Sequence, residues 1–430
     1  MSPAVLMPLS NAATATASAP VGSVDPQSLL QADAVRRHSQ AIMALAQQGQ
    51  ARHFTWHPER VELVSAYVTG VIRDRYPDLK VPYHSRWRHF EAGGVDRWAQ
   101  VSHEAGLDGA SARLQRARAR IDLAVVSVLL DAGAGPSWQF NDGGSGQTLV
   151  RSEGLGVASL RWCASGVLSS DPHEPLRADA DGLERVQTAD LGLAFQVSDA
   201  NPLVGVDGRA DLLRQLALAL KAHPGVYGRP DAPGVLRPGH LVDTLIRLSP
   251  SGEVQASQIL SLLLQTLGQI WPSRHALNGV PLGDCWPHPD APTGWLPFHK
   301  LSQWMTYSLL EPLEDAGLRV VGLDALTGLP EYRNGGLLLD LGLLQARDRS
   351  FHTQRWAVDA EPIVEWRALT VAALDHIAEV VRGDLGLGPT AFPLARVLEG
   401  GTWAAGRQIA QAKRPGGLPP VQVVSDGTVF

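Results

Sequence analysis

The stretch VELVSAYVTGVIRDRYP at 61–77 sets Val61, Val64, Val68, Val71 and Ile72 on one helical face. Tyr76-Pro77 closes it, because the residue before a proline is pushed out of the helical region. The same period recurs outward along the chain. It predicts a helix over 112–130, with Arg113, Arg116 and Arg120 on a solvated side, ended by Asp131-Ala132-Gly133-Ala134-Gly135-Pro136. Further helices are expected over 153–165, 209–222, 255–270, 301–316 and 364–381. Strand signals are few, and the apolar run at 337–344 is read as one short strand. The fold class is therefore mainly α: a large helical globule with a few short strands, Pro-rich connectors at 223–238 and 286–297, and a Gly/Pro-rich C-terminal segment over 403–430.

Composition excludes more than it reveals. A chain of 430 residues is long enough to bury roughly three quarters of its unfolded surface without staples. Residues 27–430 are expected to form one domain, or two intimately packed halves over 27–235 and 236–430. Residues 1–26 carry no Lys or Arg and are rich in Ala, Ser, Thr and Pro, so they read as a disordered tail rather than a signal peptide. Lys plus Arg is 37 against 43 acids, a net charge of -6, which argues against nucleic acid as a partner. No run of apolar residues reaches transmembrane length, so no membrane partner is expected. Two cysteines cannot form a disulfide framework, and the cytoplasm is the expected compartment.

The segment His84-Ser85-Arg86-Trp87-Arg88-His89-Phe90-Glu91 mixes guanidinium, imidazole and indole with no amphipathic period. Guanidinium forks grip phosphate or carboxylate and aromatic faces stack on what lies beside it, so His84, Arg86, Trp87 and Arg88 are candidate binding residues; an ion-pair network pinning a helix end is the ordinary alternative. Arg151-Ser152-Glu153 opens a helix, where Ser152 is a candidate cap and Glu153 a candidate contact. Glu331-Tyr332-Arg333-Asn334-Gly335-Gly336 repeats the theme, with paired glycines that let backbone approach a ligand. Glu365 and Arg367 divide between ion pair and substrate contact, and the stretch from Glu399 to Arg407 reads as a lid or edge of the same pocket. Cys285, His288 and His299 have a spacing that a catalytic zinc uses, giving metal-dependent amide hydrolysis as an alternative. Phosphate-loop, dinucleotide and nucleophile-elbow motifs are absent, so no cofactor is expected.

The segments HSRWRHFEAGGVDRW at 84–98, RSEGLGVAS at 151–159, PFHKLSQWMTYSLLEPL at 297–313, GLPEYRNGGLLLDLG at 328–342, VEWRALTV at 364–371, EGGTWAAGR at 399–407 and the terminal SDGTVF closely resemble the uracil catabolism protein 4 family. That resemblance implies a role in a pyrimidine-degrading route through a ribosylated uracil and a ribosylurea-type intermediate. A fainter similarity, over 152–172, 197–203 and 240–243, runs to the queuosine-phosphate N-glycosidase family, whose fold resembles helical DNA glycosylases. The stretch Met305-Thr306-Tyr307-Ser308 lacks the acid found in that relative, which leaves Asp199 and Asp243 as its candidate carboxylates. Both similarities imply cleavage of an N-glycosidic bond through an oxocarbenium-like state, the expected reaction being hydrolysis of a phosphorylated ribosylurea-type intermediate to urea and ribose phosphate, with a metal-dependent amidohydrolase as an alternative. The expected roles are Asp243 as nucleophile or base, Asp199 or Glu331 orienting the sugar hydroxyls, Arg86, Arg88 and Arg333 receiving a phosphate, and Trp87 and Trp304 walling the pocket. The expected partner is a small ribosylated pyrimidine derivative or its ring-opened product, and a non-catalytic binding or scaffold protein of the same pathway is the alternative.

Overall fold

The helix expected from the 61–77 pattern is present as Val61–Arg75, with Val64, Val68, Val71 and Ile72 buried and Tyr76 leaving the helical region at its end. The computed structural model describes residues 24–271 and 275–424. Its long helices, in chain order, are α1 Ala32–Gln47, α2 Val61–Arg75, α3 Arg113–Leu129, α4 Arg151–Ala164, α5 Val206–Ala222, α6 Ala256–Leu267, α7 Lys300–Asp315, α8 Tyr332–Asp340, α9 Glu361–Leu385 and α10 Trp403–Lys413. The fold is mainly α, as the apolar periodicity requires.

Helix α9 is the long axis, about 37 Å at the helical rise of about 1.5 Å per residue. It is buried without a break from Ile363 to Leu374, and α1 and α2 pack along it. Helix α3 packs against α7 and α8 against α10. One hydrophobic cluster, from Ala32 to Val421, takes side chains from all ten long helices. Among the described residues strands occur only as short pairs: Phe54–Trp56 antiparallel to Leu344–Ala346, Gln139–Asp142 to Gln147–Val150, Ala276–Leu277 to Val280–Pro281 and Cys285–Pro287 to Trp295–Pro297, with Glu253–Gln255 parallel to Arg319–Val321 and Arg355–Trp356 to Gln422–Val423. Among the described residues no helix is long and apolar enough to cross a membrane.

Several local expectations need correction. The run over 337–344 is not a strand: α8 carries it to Asp340, and pairing begins only at Leu344. The cause lies upstream, where the Glu331 carboxylate accepts the Arg333 and Asn334 amides and so caps the start of α8. Gly335 and Gly336 then bring α8 against α9 and the C-terminal segment rather than against a ligand. A side chain at Gly335 would lie 2.6 Å from the Trp366 ring, and one at Gly336 3.0 Å from Pro420. The segment after 403 begins as α10, and 286–297 holds a strand pair. On α3, Arg116 and Arg120 are half-buried, Arg116 gripping Asp315 and Arg120 lying 4.2 Å over the Trp87 ring. Most of the expected tail, 1–23, lies outside the described residues, as does the terminal SDGTVF. Its last residues are ordered, Asp25 capping the turn Pro26–Leu29.

Among the described residues, buried arginine–aspartate pairs join segments far apart in sequence: Arg86 with Asp131, Arg97 with Asp142, Arg237 with Asp122, and Arg367 with Asp284. The last is two-pronged, with both contacts at 2.8 Å, and both side chains are almost completely enclosed. Removing one partner of such a pair strands a charge away from water. Asp284→Ala should therefore lower unfolding stability by about 3–5 kcal/mol in urea titrations. A loss below about 1 kcal/mol, typical of a solvated pair, would contradict this placement.

Candidate functional site

The Arg86 side chain is fully enclosed and serves as a bracket between helices. Its Nε donates to Ser127 Oγ on α3 at 2.6 Å, and its Nη1 to Asp131 Oδ1 at 2.5 Å and to the Ser152 carbonyl on α4 at 3.2 Å. Its backbone N–H donates to Ser308 Oγ on α7. Trp87 is equally structural, its indole donating to the Ser308 carbonyl and its ring lying edge-on to Phe90 and Trp98. These two residues thus hold the wall of a cavity and do not themselves line it.

That cavity has a volume of about 470 Å³, within the range of small-molecule sites. Around it stand the loop Asp131 to Pro136 after α3, Ser152 and Leu155 of α4, Lys300 and Trp304 of α7, Glu331 to Arg333 at the start of α8, and Trp403 at the start of α10. His84 and His89 complete one side, and Leu418, Pro419, Val421 and Val423 the other. The imidazole of His89 stands edge-on to Trp304, with ring centroids 5.6 Å apart. The guanidinium of Arg333 lies 4.0 Å over the Trp403 ring.

Three residues of this lining carry buried polar atoms that have no hydrogen-bond partner among the described residues: His89 Nδ1, Trp304 Nε1 and Arg333 Nη1. Leaving a buried donor unpaired costs free energy comparable to a lost hydrogen bond, so three around one cavity mark a place arranged for something polar. Burial holds the His89 imidazolium well below its ordinary pKa, helped by nearby Arg86, so the ring is neutral at pH 7. Burial pushes the Asp131 carboxyl up, opposed by Arg86, and pushes the Lys300 ammonium down, helped by Arg367. His84 makes a 2.8 Å contact from Nδ1 to Glu399 Oε2, both residues being buried. Since a carboxylate only accepts, Nδ1 carries the hydrogen of this contact. The lining therefore offers an imidazole oriented by Glu399, indole faces for a flat group, and two acidic side chains, Asp131 and Glu331.

A second cavity of about 560 Å³ adjoins the first and shares His84, His89, Arg151 and Trp403 with it. It is lined by Arg75, Arg88 and Arg407 together with Glu153 and Glu399.

Of the residues expected from sequence, His84, Trp304, Glu331 and Arg333 line the first cavity, and Arg88 and Glu153 the second. Asn334 sits behind Glu331, donating to the Leu329 carbonyl. Asp243 is elsewhere: Arg118 grips both its oxygens, and it lines a separate groove with Arg229 and Arg247. Asp199 is exposed in the turn closed by Ser198 and Asn201. Neither shares a cavity with Arg333, contrary to the expected constellation. Glu365 accepts the backbone N–H groups of Arg52, His53 and Phe54, and Arg367 is held by Asp284, so both brace structure. The zinc grouping does not assemble either. Cys285 is packed with Leu29 and Leu282, and burial pushes its thiol far up. His299 Nε2 meets the Leu29 carbonyl, and among the described residues no three His, Cys, Asp or Glu side chains converge to hold a metal ion. The sequence reading did not single out Asp131, Lys300 or Arg151, and it treated Glu399 and Trp403 only as part of an edge.

Neutral, buried His89 has a pH signature. Below about pH 6.5 the unfolded chain takes up a proton that folded His89 resists, so its contribution to stability is full above that pH and lost as the pH falls. Wild type should lose stability between about pH 7 and 5 more steeply than His89→Asn in chemical denaturation. Equal slopes would contradict a neutral, enclosed imidazole.

The chain is 37% identical over 411 residues to Protein urg3 of Schizosaccharomyces pombe, covering 94% of this chain and 98% of that protein. It is 35% identical over 416 residues to Uracil catabolism protein 4 of Lachancea kluyveri, covering 89% of this chain and 93% of that one. Residues 28–430 match the family described as "Protein of unknown function (DUF1688)". The chain therefore belongs to this family, the same one that its motifs at 84–98 and 328–342 resemble.

Proposed function

We propose that this chain is an enzyme of uracil catabolism that hydrolyses the N-glycosidic bond of a ribosylurea-type intermediate, giving urea and the free sugar. The pathway is supported by the name of the Lachancea kluyveri relative. The reaction is supported chiefly by one observation: His89, Trp304 and Arg333 carry unpartnered buried polar atoms around one cavity, beside the His84–Glu399 pair.

A urea group is flat, with a carbonyl oxygen that accepts two hydrogen bonds. Trp304 Nε1 and Arg333 Nη1 are donors that would receive it, with the Trp403 face alongside. His84 Nε2 would take a proton from water as the water oxygen bonds to C1 of the sugar. The C1–N bond then breaks, its electron pair stays on the urea nitrogen, and that nitrogen gains a proton. Lys300, its pKa lowered by burial, is the acid in the same lining. Glu331 would face the positive charge that develops on the ring, where a fixed anion stabilises an oxocarbenium-like state. A binding-only role is favoured by one observation: both Glu331 oxygens already accept amides, and Asp131 is held by Arg86.

Incubating purified protein with ribosylurea and assaying free urea separates the two. The hydrolase reading expects release by wild type and a fall in kcat of about a hundred- to ten-thousand-fold for His84→Gln, the usual range for general base catalysis. Ligand binding by wild type with no urea released would establish the binding role instead. Equal rates for wild type and His84→Gln would reject His84 as the base.

A further inference from the structure

The second cavity lies beside the first and has four lining residues in common with it. Its two acids are already engaged, Glu153 by Arg407 at 3.0 Å and Glu399 by His84 at 2.8 Å. Arg88 is paired with Glu91 and Glu311, yet its Nε is buried without a partner. Arg75 meets the carbonyl oxygens of Glu399 and Gly400 and lies over the Tyr76 ring, and neither Arg75 nor Arg151 makes an ion pair with an acid among the described residues. Two guanidinium charges therefore face this concavity uncompensated by any carboxylate.

Arg151 is also held at a φ of 55°, a conformation that non-glycine residues rarely adopt. It is the first residue of α4, whose N-terminus has no side-chain cap and presents its first-turn amides beside the same cavity. His89, buried and unpartnered at Nδ1, stands at the junction. Uncompensated guanidinium, an uncapped helix start and a neutral buried imidazole together suit a small dianion better than a carboxylate-free neutral ligand.

We propose that this second cavity is a phosphate-monoester subsite, so that the ligand spans both cavities with its phosphate near Arg75 and Arg151 and its uncharged end between Trp304 and Trp403. The nature of the uncharged end rests on the N-glycosidase reading, whereas the phosphate subsite rests on the arginines.

Isothermal titration of the full-length chain with ribose 5-phosphate, ribose and inorganic phosphate tests this directly. Ribose 5-phosphate should bind at least about tenfold more tightly than ribose, and inorganic phosphate should compete with it. Arg151→Ala and Arg75→Ala should each weaken ribose 5-phosphate about tenfold. Arg151 is exposed and makes no ion pair, so its variant should keep the wild-type thermal melt. Equal affinity for ribose and ribose 5-phosphate, or affinities unchanged in both arginine variants, would overturn the subsite. The two readings fail separately. Phosphate binding without urea release contradicts only the hydrolase, and equal urea release from phosphorylated and unphosphorylated ribosylurea contradicts only the subsite.

Discussion

The buried guanidinium of Arg86 is the constraint on which the site depends. It links the end of α3 to the start of α4, and the backbone N–H of the same residue donates to Ser308 in the middle of α7, 222 residues further along the chain. Its partner Asp131 follows α3 directly, where the Gly- and Pro-containing loop turns away and becomes one wall of the cavity. Enclosing a charge is costly unless it is paired and hydrogen-bonded, and here one carboxylate, a hydroxyl and a carbonyl satisfy most of the donors. The pair fixes where three helices meet rather than adding much net stability. Without it, the loop and the α4 N-terminus would have no common reference point.

Outside the cavity built around that bracket, Asp142, Asp122 and Asp284 each hold a buried arginine. Inside, His89, Trp304 and Arg333 leave polar atoms unpaired. Leu418 to Val423 closes the cavity through a two-residue parallel pairing with Arg355 and Trp356, just after Gly416 and Gly417 in the left-handed region.

How much of this could be read from sequence follows from the range of the interactions. Helices such as α2 and α9 are legible because their apolar spacing is local, and Tyr76-Pro77 marks an end by sterics alone. The run at 337–344 misleads because it is apolar at nearly every position, so period cannot discriminate, and the cap at Glu331 decides. The motifs at 84–98 and 328–342 contribute His84, Glu331 and Arg333 to the lining of one cavity. Within those motifs, nothing local separates Arg86, which braces, from Arg333, which faces the cavity. Asp243 was misplaced because its partner Arg118 lies 125 residues away, and the carboxylate that orients His84 lies 315 residues away. Pairings at that separation leave no periodic trace in the chain.

The central claim is that the two joined cavities around the Arg86 bracket form one ligand site. A crystal structure of the full-length chain grown with ribose 5-phosphate tests it most directly. The account predicts phosphate oxygens at charge-assisted hydrogen-bond distance, about 2.7–2.9 Å, from Arg151, with the sugar reaching past His84 toward Trp304 and Arg333. A sugar phosphate seated instead in the groove beside Asp243 and Arg247, with both cavities holding only solvent, would contradict it.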